Sequence, residues 1–231
     1  MNSTFSTFLT NLGLIPQRNL CLASHLGDSQ ILLCKEVATG RLLVAKRWPR
    51  TDQDCAAREA NAMAALQTLT FVPDLALCAN TEFGSVLIRK FFVGSNLEQT
   101  KWSTFSSQAK VKFFSLLKSH IEQLHLAGWA HRDLSPKNIL TDGQNIQIID
   151  WDLAEPIQTQ EASAFETRGT VGYSLDQVQQ VRDFISQDIE ALAKISQFLG
   201  IDSEAETRAN IHSPSTQMRK SWLKQIFSAR N

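Results

Sequence analysis

His131-Arg132-Asp133-Leu134-Ser135-Pro136-Lys137-Asn138, followed twelve residues after the asparagine by Asp150-Trp151-Asp152, is the stretch whose reading decides this chain. The first run has the spacing H-R-D-L-x-x-x-N, which puts a carboxylate and an amide oxygen five residues apart on one loop. The second carboxylate, Asp150, follows a short apolar run, Ile146 to Ile149, that reads as a strand. Five specified residues at roughly one in twenty each would arise by chance in about one chain of this length in ten thousand. Accident is a poor explanation.

Upstream of this stretch the pattern is strand-like from Leu20 to Trp48, with Gln30 to Glu36 and Arg41 to Lys46 separated by the turn Ala38-Thr39-Gly40. A helix is expected next. Thr51-Asp52 would cap it, Ala56, Ala60, Met63, Ala64 and Leu66 share one face, and it should end near Thr68 to Phe71, before Pro73. Two more strands are expected near Asp74 to Cys78 and Ser85 to Lys90, and Phe91-Phe92-Val93-Gly94-Ser95 then breaks the pattern. Val111, Phe114, Leu117, Ile121 and Leu124 recur at helical spacing, giving a long helix from Ser106 to Leu126 that stops before Gly128. Beyond Asp152 a polar loop runs from Glu155 to about Gly172, and a helix is expected from Asp188 to Leu199.

Composition limits the function classes. With 231 residues and 43% apolar content the chain can bury a normal core as one large domain or two small lobes. Lysine plus arginine equals aspartate plus glutamate at 23 each, so no global field draws in nucleic acid or an anionic membrane. Cys21, Cys34, Cys55 and Cys78 show neither finger nor C-x-x-C spacing and are expected to be reduced thiols. The first basic residue is Arg18, and no long uncharged apolar run occurs, which argues for a cytoplasmic protein without a transmembrane segment.

Phosphoryl transfer from a nucleotide requires little covalent help; it requires a positioned nucleophile and neutralised phosphate charge. Asp133 is the candidate general base, and Asn138 on the same loop offers a neutral oxygen to a metal. Asp150 offers the carboxylate that would bridge metal and phosphates. Lys46, at the end of the second strand, can reach the phosphates, and Glu59, one turn inside the next helix, can pair with it. Singly, such residues are usually turn, cap or solvated-face residues. Their order, each in a fitting context, reverses that preference.

At these residues, over about Leu20 to Leu199, the chain resembles the protein kinase superfamily. The resemblance implies an α+β, two-lobed fold with ATP in the cleft. Residues 1–92 would form a small antiparallel N-lobe with one main helix, and 93–231 a reduced helical C-lobe. It implies ATP and Mg2+, or Mn2+, as cofactors, with Asp133, Lys46 and Asn138 catalytic and Asn138 and Asp150 holding metal. His131 would be a structural member of the loop. Asp188 would brace the loop backbone through hydrogen bonds. Gly169-Thr170 and Tyr173 match the family's G-T-x-x-Y, and Glu166 stands where an activating phosphate usually sits, so a Glu166 to Arg132 contact would replace phosphorylation. Ile31 and Val44 would form the apolar ceiling over the base. Leu87 to Gly94, including Lys90, Phe91 and Phe92, would be the hinge whose backbone pairs with adenine, although Arg89 and Lys90 are unusually basic there.

Departures from the pattern qualify the acceptor. The three phosphate-loop glycines fall at Ser24, Leu26 and Ser29, leaving only Gly27 to cover the nucleotide. Asp150-Trp151-Asp152 stands where D-F-G is usual and resembles the aminoglycoside and choline kinase branch; Asp152 would add a carboxylate near the metals or cap a turn. A-P-E is replaced by Leu175-Asp176-Gln177. Met218, Trp222, Leu223, Ile226 and Phe227 lie among basic residues, so segment 216–230 reads as a basic amphipathic helix that would dock on its own C-lobe or on a partner. Three readings follow. The first is a minimal serine/threonine protein kinase with an unidentified protein acceptor, favoured by H-R-D and G-T-x-x-Y. The second is a small-molecule or sugar kinase, favoured by Asp150-Trp151-Asp152 and Arg58-Glu59-Ala60. The third is a non-catalytic nucleotide-binding or interaction module, suggested by the degraded glycine loop.

Overall fold

Alternating apolar residues in the first half of the chain build a five-stranded antiparallel sheet from β1 (Leu14–Asn19), β2 (Gln30–Glu36), β3 (Leu42–Trp48), β4 (Leu75–Thr81) and β5 (Gly84–Lys90), in the order β1-β2-β3-β5-β4. The structure is a computed structural model that describes residues 3–20, 30–158, 170, 172–173 and 182–201. Gly27, Glu166 and segment 216–230 lie outside the described residues, so the expectations placed on them are not addressed.

The sheet has two faces with different partners, and this division positions the site. Leu32, Cys34, Leu43, Ala45, Val86 and Ile88 pack with Phe5 and Leu9 of α1 (Ser3–Asn11), a helix that lies against the outer face. Phe83 closes this cluster against the rings of Phe5 and Phe8, at 5.9 and 5.5 Å between centroids. Because successive side chains on a strand alternate, Val44, Lys46, Leu87 and Arg89 face the other way. There Leu87 joins the main core with Ala56, Ala60 and Met63 of α2 (Gln53–Ala65). Burying each large apolar side chain contributes about 1.5–3 kcal/mol, so both faces help hold the sheet.

Two helix boundaries differ from expectation. Asp52 occupies the N-cap of α2 but its side chain makes no cap hydrogen bond, because the 3-10 turn Arg50–Asp52 feeds the helix directly. The helix ends at Ala65, and a series of turns, Leu69 N–H to the Leu66 carbonyl and Val72 N–H to that of Leu69, carries the chain on to Pro73. The last described helix, α4 (Arg182–Phe198), begins six residues before Asp188, since Phe184, fully buried, extends its apolar face. N-terminal α1 and β1 were not anticipated at all.

The long helix α3 (Ser107–Leu126) starts where Ser106 accepts a hydrogen bond from Ala109 N–H at 3.2 Å. Its end turns through Gly128 at φ +82°, where an L side chain is disfavoured. Short strands then frame the two decisive segments. β7 (Trp129–Ala130) pairs with β10 (Glu155–Pro156), and β8 (Ile139–Thr141) pairs with β9 (Ile146–Ile148) and with β6 (Ser95–Asn96). The loop 131–138 therefore leaves β7 and enters β8, while Asp150-Trp151-Asp152 follows β9. The architecture is α+β, an antiparallel sheet followed by helices. Among the described residues no helix is long and apolar enough to cross a membrane.

Candidate active site

Lys46 is buried on β3 with its ammonium 2.8 Å from Glu59 Oε2 and in direct contact with Asp150 Oδ1. Trp48 places its ring 4.3 Å below the same nitrogen. Glu59 reaches inward because α2 buries the Ala56, Ala60 and Met63 stripe beside it. One position earlier, Arg58 donates from Nε to the Asp152 backbone carbonyl at 2.9 Å, so α2 holds both the lysine and the segment after β9. Burial works against the charge of Lys46, but the two carboxylates outweigh it and its pKa is raised. Burial likewise works against the Asp150 carboxylate, and Lys46 beside it still holds its pKa below the ordinary range. The pair is ionised.

The loop 131–138 is held from within and from below. Asp188, fully buried on α4, accepts from His131 N–H at 2.9 Å through Oδ2 and from Arg132 N–H at 2.8 Å through Oδ1. His125 Nε2 lies 2.9 Å from the same Oδ2. Arg132 sits at φ +68°, a left-handed conformation costly for a residue with a side chain, and its guanidinium stacks 4.2 Å over Phe184. His131 Nδ1 accepts from Asp133 N–H at 3.2 Å while Nε2 lies 3.1 Å from the Ile149 carbonyl, an arrangement suited to the neutral Nε2–H tautomer. The histidine ties the two decisive segments together and is spent on that.

Asp133 and Asn138 face each other across the loop. Asn138 Nδ2 donates to Asp133 Oδ2 at 2.8 Å and to the Asp133 carbonyl at 2.9 Å, which orients its oxygen away from the aspartate. Thr170 N–H donates to Asp133 Oδ1 at 2.5 Å, bringing the G-T-x-x-Y segment to the same carboxylate. Burial pushes the Asp133 pKa up, with the hydrogen bonding from Thr170 pulling the other way, so this carboxylate is a stronger proton acceptor than an exposed one.

Trp151 is fully buried, donates from Nε1 to the Ile148 carbonyl at 2.8 Å and meets the His131 ring edge-on at 4.6 Å. It anchors the segment and leaves acidic residues on both sides of it. Asp150 sits at φ +68°, and the Asp152 pKa is pushed up to about 7 by burial and by its neighbour Asp150. Asn138 Oδ1, Asp150 and Asp152 are hard oxygen donors of the kind magnesium takes. Among the described residues no group of three or more His, Cys, Asp and Glu side chains is placed to hold a metal ion by itself.

Ile31 stands opposite Lys46 and Val44 opposite Arg89, so both lie on the inner face of the sheet. Phe91 and Phe92 follow β5 directly. Lys90 N–H donates to the Asp74 carbonyl at 3.0 Å and Phe91 N–H to that of Leu42 at 3.1 Å, so these two groups are already committed to backbone pairing. Lys90, Phe91 and Phe92 line a cavity of about 490 Å3 with Leu116, His120 and Gln147. Gly94 is required by close approach: a Cβ there would lie 2.5 Å from the Thr141 carbonyl oxygen. Arg58 was missed as a positioning residue, and the sequence signal for it was its place beside Glu59.

Comparison with curated proteins finds no match for the chain. The family model described as "Protein kinase domain" matches residues 26–184, a span that contains Lys46, Glu59, the 131–138 loop and Asp150. A match over more than half of the chain, on a sheet-then-helix architecture, makes this chain a member of the protein kinase family with the α+β fold of that family.

Proposed function

We propose that this protein is a magnesium-dependent phosphotransferase that moves the terminal phosphoryl group of ATP to an alcohol, with a serine or threonine hydroxyl on protein as the acceptor. ATP is the donor that the family resemblance implies. Kinase membership makes phosphoryl transfer the general activity, and the acceptor and residue roles are the part proposed.

The observation that carries the reading is the Glu59, Lys46 and Asp150 array, with Asp133 and Asn138 on the neighbouring loop. In this reading Lys46 neutralises the non-transferred phosphates while Glu59 keeps it in place. Asn138 and Asp150 would hold magnesium, which supplies charge neutralisation at the phosphates. Asp133 orients the acceptor hydroxyl and takes its proton. Arg58 keeps the 150–152 segment against α2 through the Asp152 carbonyl. Sugar or metabolite hydroxyls remain a second acceptor class, favoured by the half-buried Asp152 after Trp151.

Incubation with γ-labelled nucleotide and magnesium, followed by mass spectrometry of protein and metabolite acceptors, tests the reading. Label on serine or threonine is expected. Label confined to metabolites would shift the acceptor to the second class, and folded protein that neither binds nucleotide nor transfers label would refute phosphotransfer.

A further inference from the structure

The cavity of about 490 Å3 beside Phe91 and Phe92 is walled by segments far apart in the chain: the turn that follows α2, the end of β5, α3 and β9. None of Lys46, Glu59, Asp133, Asn138 and Asp150 lines it, and neither do Ile31 and Val44. It is therefore not the candidate active site. Its volume falls within the range of about 300–1,000 Å3 that small-molecule sites occupy.

Two of its walls carry a buried polar atom with nothing to bond. Gln147 on β9 is 9% exposed, and Ile146 and Ile148 on either side of it belong to the main core, so strand alternation turns Gln147 the other way. Its Oε1 is buried without a hydrogen-bond partner among the described residues, and so is Nδ1 of His120 on α3. The His120 ring stacks on that of Phe71, with centroids 4.5 Å apart and planes 28° apart, which fixes the plane in which Nδ1 can bond. A buried polar atom left unpaired is costly, so a cavity whose lining holds two of them is suited to a ligand that pairs both. Rotation of the Gln147 amide about its own side-chain torsions brings its oxygen to such a ligand.

The rest of the lining narrows the ligand's chemistry. Burial lowers the His120 pKa, so the imidazole is neutral at pH 7. Lys90 and Asp74, the two charged residues of the lining, lie 3.6 Å apart and offset each other, which favours neither an anion nor a cation. Gln147 Oε1 takes only a donor, whereas His120 Nδ1 is a donor in one tautomer and an acceptor in the other. A carboxamide carries an N–H and a carbonyl in one plane and so meets either tautomer. Val72, Phe91, Phe92 and Leu116 offer apolar surface to a ring attached to it.

We propose that this cavity is a second binding site, which takes an uncharged aromatic carboxamide between Gln147 and His120. The inference stands independently of the phosphotransferase reading.

Titration of the full chain with benzamide tests it, with the His120 ring nitrogens followed by NMR after through-bond assignment, and with benzoate and benzylamine as charged controls. Gln147→Leu and His120→Phe, which keep the bulk and the stack, are compared with the wild type, and circular dichroism verifies folding. Benzamide should shift His120 Nδ1 saturably with a dissociation constant of about 1 mM or tighter, and the charged controls should bind more weakly. Each variant should weaken benzamide by about fivefold or more, the scale of one net hydrogen bond, and MgATP should leave benzamide bound. If His120→Phe does not fold, Gln147→Leu and the wild-type shifts decide. No saturable shift, equal affinity for the charged controls, unchanged affinity in the folded variants, or competitive displacement by MgATP each overturns the proposal while leaving phosphotransfer standing.

Discussion

Replacing Asp188 by alanine should remove the support of the 131–138 loop. The carboxylate accepts from two buried backbone N–H groups, at 2.9 and 2.8 Å, and lies 2.9 Å from His125 Nε2. Hydrogen bonds to a charged acceptor contribute about 1.5–3 kcal/mol each, and an abandoned buried donor costs about 1–3 kcal/mol. Counting the two N–H groups once each gives a loss of about 3–6 kcal/mol. The left-handed Arg132 backbone adds to it, because a conformation that costs about 1–2 kcal/mol persists only while its surroundings enforce it. For a chain of this size about 1 kcal/mol shifts the thermal midpoint by about 2–4 °C, so Asp188→Ala should melt roughly 6–24 °C lower. Asp188→Asn keeps one acceptor and turns an NH2 toward the other N–H, so an intermediate loss is expected. Urea titration and thermal melts measure both. An Asp188→Ala midpoint within about 2 °C of wild type would refute the bracing argument, because no water-accessible route could then be needed to satisfy those two amides.

Other perturbations have comparably definite outcomes. Glu59→Gln removes one of two carboxylates holding Lys46, so nucleotide turnover should fall by about tenfold or more while the fold persists; unchanged steady-state kinetics would contradict the pairing. Asp152, pushed up to about 7, keeps its proton in the folded state between about pH 4 and 7, where the unfolded chain releases it. Its contribution to stability therefore falls as pH rises through that window, and Asp152→Asn should abolish this part of the slope in urea midpoints taken from pH 4.5 to 8. A slope identical to wild type would count against it. Cys34 is fully buried and its thiol is pushed up to about 11 by burial, so iodoacetamide at pH 8 should modify exposed Cys78 well before Cys34, as mass mapping would show; equal rates would contradict the burial.

Where the sequence was informative, a local signal and a long-range need coincided. Strand alternation and turn residues marked β2, β3 and β5, and the apolar period of α3 marked that helix within a residue, because each element buries one face and announces it. The H-R-D-L-x-x-x-N spacing put Asp133 and Asn138 within hydrogen-bond reach because five residues close one tight loop. The early start of α4 was obscured, since Phe184 lies more than a turn ahead of Ala191 and its burial depends on Arg132 from another segment. Helix α1 carried a readable signal in Phe5, Phe8 and Leu9, but only the sheet beneath it explains why so short a helix holds. Arg89 read as a basic residue at a strand end; its burial on the cleft side follows from pairing with Val44, which no local pattern states.

Phosphoryl transfer itself is tested most directly with γ-labelled ATP, magnesium and a mixed protein and metabolite acceptor pool, comparing wild type with Asp133→Ala and Asp150→Ala. The arrangement of Asp133, Asn138, Lys46 and Asp150 predicts label transfer by the wild type and a loss of about a hundredfold or more in each variant, with nucleotide binding retained by Asp133→Ala. Equal transfer by the folded variants, or no nucleotide binding and no transfer by folded wild-type protein, would contradict it.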